Sequence, residues 1–222
     1  MYSIRIVAVV GLCGALGCKP SEQKAPTPQQ LGSSNDTPSR LVGVYPKLFT
    51  CDSLITTAEL ANLVGPGTVR VVDSALRPPN GLAAPCTYLL DHGVDGGQPS
   101  AWTFDIDCRD GAKQTADKLF AQYRSTSADL MQQYNAAADA GQIVANDAGV
   151  APAAPQGVLD VAVGSRAIDH HGQALLFWDN DAPCYVRIIG SDPSGRLALG
   201  KHLADRLTPK TAPMTPRLPE TP

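Results

Sequence analysis

The stretch from Thr87 to Ile106, TYLLDHGVDGGQPSAWTFDI, decides the fold. Thr87-Tyr88-Leu89-Leu90 and Trp102-Thr103-Phe104-Asp105-Ile106 are rich in β-branched and aromatic residues. The Gly/Asp-rich segment HGVDGGQPS between them makes the whole a hairpin with a long loop. A second hairpin reads from Ala174-Leu175-Leu176-Phe177-Trp178, the turn Asp179-Asn180-Asp181, and Tyr185-Val186-Arg187-Ile188-Ile189. Thr68-Val69-Arg70-Val71-Val72 is a further strand, and Leu159 to Val163 a short one.

Helical signals sit around these strands. Thr56-Thr57-Ala58-Glu59 is a capping-box pattern; Leu60, Leu63 and Val64 follow it, and Gly65-Pro66 stops the helix. Ala116, Leu119, Phe120, Tyr123, Leu130, Met131 and Tyr134 recur at helical spacing, which predicts a long amphipathic helix from Ala112 to Asn135 whose apolar stripe faces the core. Asp192-Pro193 supplies an N-cap and a first residue for a final helix, with Leu199, Leu203 and Leu207 as its buried edge. The order is helix, three strands, long helix, short strand, hairpin, helix. Adjacent hairpins of this kind predict an α+β fold, an antiparallel sheet with helices packed on one face.

Composition limits the rest. Among 222 residues there are 20 glycines and 19 prolines, too few for low-complexity disorder, and 43% of residues are hydrophobic. One folded domain is expected over 47–207, interrupted by a flexible insertion at 136–156, AAADAGQIVANDAGVAPAAPQ. Lys19 to about Pro46 reads as a tether, and 208–222 as a disordered Pro-rich tail. The net charge of -3 leaves no electrostatic footprint for nucleic acid.

Residues 1–17, MYSIRIVAVVGLCGALG, have one Arg5 ahead of an apolar stretch of twelve residues from Ile6 to Gly17. That is too short to span a bilayer but fits a signal peptide. The ending Ala15-Leu16-Gly17-Cys18 resembles the lipobox of bacterial lipoproteins. The resemblance implies cleavage before Cys18 and acylation of its thiol, with palmitate among the fatty acids of such anchors. Beyond Cys18 remain Cys51, Cys86, Cys108 and Cys184, and one acylated thiol plus two disulfides resolves the odd count. Lys19 resembles the outer-membrane sorting class in organisms with two membranes. The alternative is a secreted protein cut at the same bond.

The domain also resembles, distantly, the small exported lipoproteins of actinobacteria that share a domain of unknown function. The similarity rests on Cys51-Asp52-Ser53-Leu54-Ile55-Thr56-Thr57-Ala58-Glu59, on Cys86-Thr87-Tyr88, and on Val163-Gly164-Ser165-Arg166-Ala167, and spans roughly Leu48 to Leu207. It departs from the family where Tyr88 stands for a usual Trp and Ser165 for a usual Asp; Cys108, Cys184 and the insertion are additions. The resemblance implies a Cys51–Cys86 disulfide, which leaves Cys108 with Cys184. A rival pairing, Cys86 with Cys108 across the first hairpin, stays open, since four cysteines allow three connectivities. No catalytic residue comes with the family.

Candidate chemistry is sparse. Asp105-Ile106-Asp107-Cys108-Arg109-Asp110-Gly111 has acidic spacing close to a calcium loop, but its third acid is displaced and Ala116 stands where a bidentate Glu is needed. It reads instead as a strand end leading into an acid-capped helix. Asp169-His170-His171-Gly172, even with His92 or His202, reads as a solvated turn rather than a zinc site. No nucleophile elbow, zincin helix, S-x-x-K or phosphate loop occurs, and Gly164-Ser165 is not one. No catalytic residue, metal site or cofactor is therefore assigned. The expected function is a non-catalytic envelope lipoprotein that binds a partner protein or ligand outside the cytoplasm. The alternatives are a carrier of an apolar molecule, held between the sheet and the long helix, and an exported hydrolase with an unrecognised site.

Overall fold

The computed structural model describes residues 42–73, 78, 81–93, 97–143, 153–155, 157–170 and 173–217. The expected signal peptide, Cys18, the tether as far as residue 41 and residues 144–152 and 156 of the insertion lie outside the described residues, as do His171 and 218–222.

Among the described residues seven strands form one antiparallel sheet: β1 Thr68–Val72, β2 Cys86–Asp91, β3 Ser100–Asp107, β4 Val158–Val161, β5 Arg166–His170, β6 Ala174–Asp179 and β7 Cys184–Ile189. Their order is β1-β2-β3-β7-β6-β5-β4. Two meanders thus meet where β3 pairs with β7, in a register running from Thr103 opposite Ile189 to Asp107 opposite Tyr185. The strand the sequence reading missed is β5. It contains Asp169 and His170, expected in a solvated turn but buried here, because Arg196 reaches across to neutralise Asp169.

The fold is α+β, with three helices against the sheet: α1 Thr57–Val64, α2 Ala112–Asp139 and α3 Pro193–Arg206. Thr56 and Glu59 form the capping box of α1, and the Asp192 carboxylate caps α3 through the Gly195 N–H. Unlike the expected arrangement, the helices do not share a face. Leu60 and Val64 of α1 pack with Leu199 and Leu203 of α3 against Tyr88, Phe104, Phe177 and Val186. Phe120 and the small residues Ala112 and Ala116 of α2 pack against Ile168, Leu176, Trp178 and Tyr185 on the other side. The alternation of a strand makes both layers necessary: all six residues of β6 are buried, so each face needs a cover. A two-fold axis relating β3 to antiparallel β7 would run normal to the sheet and leave each face in place. A hairpin followed by a helix occurs twice, as β2–β3 with α2 and β6–β7 with α3, and the opposite placement of the two helices makes that recurrence one of order only.

Two boundaries differ from expectation. Helix α2 starts after Gly111, whose φ of +88° suits glycine, and no side chain caps it, so the expected acidic cap is absent. It also runs four residues past Asn135. At the ends of the domain, Thr208–Arg217 is packed rather than loose: Ala212 and Met214 are buried, and Val42 pairs with Arg217 while the Val44 N–H bonds to the Ala212 carbonyl. The prolines of this stretch remove donors but leave these contacts intact, so composition alone overstates its disorder.

A close approach fixes the junction from β7 into α3. A Cβ on Gly190 would lie 2.3 Å from the ring of buried Trp102. Gly190→Ala is expected to destabilise the domain by about 1–3 kcal/mol through overpacking, read as a lower denaturant midpoint at unchanged slope. An unaltered midpoint would place the indole elsewhere.

Candidate functional site

Asp105 and Asp107 stand two residues apart on β3 and so share a face, the one covered by α2, opposite Arg187 and Tyr185 of β7. Pro78, Leu82, Ala83 and Pro85 from the segment before β2, with Thr115 of α2, complete an apolar recess of about 240 Å³. A mainly apolar concavity with a few polar groups is the usual form of a ligand site.

Each polar group in it has a definite state. Arg187 donates from Nε and Nη2 to Asp105 Oδ2 at 3.0 and 2.8 Å. Arg109 donates from Nε and Nη2 to Asp107 at 2.9 and 2.8 Å, and its backbone N–H adds a third bond at 3.0 Å. Burial pushes the Asp105 carboxyl above the usual carboxylate range and outweighs the neighbouring Arg187 guanidinium. Burial acts on Asp107 too, but the bonds from Arg109 outweigh it and hold that carboxyl low. The Tyr185 hydroxyl is buried without a hydrogen-bond partner among the described residues, and burial raises its pKa.

The two carboxylates accordingly act on stability with opposite sign. A raised folded pKa makes the native state bind more protons than the unfolded chain, so stability from Asp105 falls as pH rises from about 3.8 through its folded value. For Asp107 the stabilisation is present above about 3.8 and lost as pH falls through the lowered folded value. Asp105→Asn is expected to flatten the first slope and leave stability at pH 7 equal or higher, since Arg187 is 44% exposed and stays hydrated. Thermal melts of both proteins from pH 4 to 8 check this; a large loss at pH 7 would mean the ion pair outweighs the burial cost.

The other sequence candidates are dispersed. Cys51 is bonded to Cys86 and Cys108 to Cys184, with Cα separations of 5.7 and 4.2 Å. Cys86 faces Phe104 across the first hairpin, so the rival Cys86–Cys108 pairing is not formed. Asp107 is engaged by Arg109, and among the described residues no three His, Cys, Asp or Glu side chains converge on a metal position. His92 contacts the Pro66 carbonyl and Ser100 Oγ, while His202 bonds to the Leu54 carbonyl, well apart in the fold. His170 packs at a tilt against Tyr123 with ring centroids 5.1 Å apart, and its buried Nδ1 has no partner among the described residues. It lines a recess of about 250 Å³ beneath α2 with Leu119, Tyr123 and Leu130. Ser165 Oγ donates to the Trp178 carbonyl and serves a turn.

Residues the sequence reading passed over are Tyr185, Arg187, Arg196 and Asp179. Arg187 could have been found, since a cation in the middle of an apolar strand calls for an acid on its neighbour. Comparison with family models, with curated protein sequences and with solved structures finds no match to this chain.

Proposed function

We propose that the chain is a lipid-anchored binding domain of a bacterial cell envelope, tethered through Cys18, which engages a partner protein or ligand outside the cytoplasm and performs no chemistry on it. Two disulfides are the chemistry of an oxidising, extracytoplasmic compartment. Among the described residues no helix is long and apolar enough to cross a membrane. The signal-like stretch ending at Cys18 supports an anchor, and the distant resemblance to actinobacterial exported lipoproteins supports the same address. The observation that carries the binding role is the state of the apolar recess: both carboxylates are already paired with guanidinium groups, so the recess offers ordered charge and apolar surface rather than a free base.

A second reading, carriage of an apolar molecule, is favoured by the recess under α2, where the unpartnered His170 Nδ1 stands among Leu119, Tyr123 and Leu130. Its volume, about 250 Å³, lies, like the 240 Å³ of the first recess, below the roughly 300 Å³ of small ligand pockets, so either could seat a side chain but neither could enclose a whole apolar cargo molecule. Native mass spectrometry of the protein extracted in detergent from its own envelope separates the readings. The expected result is loss of residues 1–17 plus a diacylglyceryl mass and no further mass. A stoichiometric extra molecule would establish carriage instead, and a cleaved chain without lipid would leave a secreted domain.

A further inference from the structure

A recess of about 360 Å³ lies between the β4–β5 turn, the β6–β7 turn and the last turn of α3. Ser165, Asp179, Asn180, Asp181 and Asp205 line it, and among the described residues no lysine or arginine does. Asp179 ends β6, and strand alternation puts it with Leu175 and Phe177 on the α3 face, toward the wall carrying Asp205. It is only 4% exposed. Its Oδ1 accepts the Asp181 N–H at 3.0 Å and the Asn180 N–H adds to the stabilisation of the carboxylate, while its buried Oδ2 has no partner of hydrogen-bonding geometry among the described residues. Arg206, the cation nearest in sequence to Asp205, is turned away onto Glu59 at 3.1 Å. The recess also sits at the carbonyl end of α3, which carries partial negative charge.

A buried carboxylate oxygen without a donor is costly, and the fold leaves it so beside two further acids. Burial, reinforced by the charges of Asp181 and Asp205, pushes the Asp179 carboxyl above its usual range. The arrangement lacks only a cation. A calcium ion would need six to eight oxygens at about 2.3–2.6 Å, and these carboxylates do not converge in that way. A guanidinium or ammonium group can satisfy separated acceptors one at a time.

We infer that this recess receives an arginine or lysine side chain of a protein partner, with Asp179 as its buried anchor and Asp181 and Asp205 as its flanks. The inference rests on the binding role proposed above and names the chemistry of the partner. Three observations carry it together: the unpartnered Oδ2, the three acids without a lining cation, and the C-terminus of α3.

The test titrates the ¹⁵N-labelled full chain with acetyl-Gly-Arg-Gly-amide, its lysine and citrulline counterparts, and calcium chloride, following the amides of Ser165, Asn180, Asp181 and Asp205. The expected result is saturable shifts at these amides with the arginine and lysine peptides, and binding at least tenfold weaker with neutral citrulline. Asp179→Asn should lose at least tenfold in affinity while melting at an equal or higher temperature, which separates lost binding from lost folding. Equal binding of citrulline, no shifts with either basic peptide, or calcium alone moving these amides would overturn the inference. A crosslinked envelope partner retained by Asp179→Asn would also overturn it and yet leave the binding role standing.

Discussion

Arg196→Ala is expected to destabilise the domain by about 3–5 kcal/mol, the cost of stranding one member of a buried ion pair. Arg196 is fully buried. Its Nε and Nη2 donate to Asp169 at 3.1 and 3.0 Å, and its Nη1 donates to the Gly190 carbonyl at 2.7 Å. One side chain on α3 therefore holds β5 and the exit of β7 together. Removing it leaves the Asp169 carboxylate inside the α3 face with no cation, and the Gly190 carbonyl without its donor. Against a typical total of about 5–15 kcal/mol, the loss is a large fraction of stability. Arg196→Lys should recover only part of it, because one ammonium cannot reproduce both the fork onto Asp169 and the bond to Gly190. The double variant Arg196→Met with Asp169→Leu should return most of the stability, since an apolar pair removes both desolvation costs. Urea denaturation of the four proteins decides the matter. A cost below about 1 kcal/mol for Arg196→Ala would mean that water reaches the pair in the folded state.

The same pair explains what could and could not be read beforehand. The hairpins, the capping box at Thr56 and the Asp192 cap are local, and their residues specify them without help from distant chain. Strand β5, Arg-Ala-Ile-Asp-His, carries no local signal, because Asp169 and His170 are polar and enter the core only where Arg196 and Tyr123 meet them. The placement of helices on both faces was in principle legible. The run Ala174-Leu175-Leu176-Phe177-Trp178 is apolar without alternation, the pattern of a strand covered on both sides, and α2 and α3 supply those covers. The candidate recesses were legible only as parts. Asp179-Asn180-Asp181 reads as a turn from its residue types, and nothing in them reveals that β6 drives the first aspartate under the end of α3. The Asp105–Arg187 pair joins residues 82 apart in the chain, so the register of β3 on β7 had to be known first.

That register also sets the second large effect. Replacing Cys108 and Cys184 together by alanine is expected to cost about 4 kcal/mol, the loop-closure entropy returned to the unfolded chain. Cys108 directly follows β3 and Cys184 opens β7, so the bridge closes the seam between the two meanders next to the Asp107–Tyr185 pair. The cross-link joins residues 76 apart, whereas Cys51–Cys86 joins residues 35 apart. A loop about twice as long should stabilise by roughly 0.6 kcal/mol more. Removing the seam bridge should thus be the costlier of the two, although both tie an element to the same sheet. Equilibrium unfolding of the oxidised protein and of each double-alanine variant measures the difference directly. If the Cys51–Cys86 variant proves clearly the weaker, the bridge there acts mainly through native contacts of the 3-10 turn at Cys51–Ser53, which orients Leu54 and Ile55 into the core, and not through the length of chain it closes.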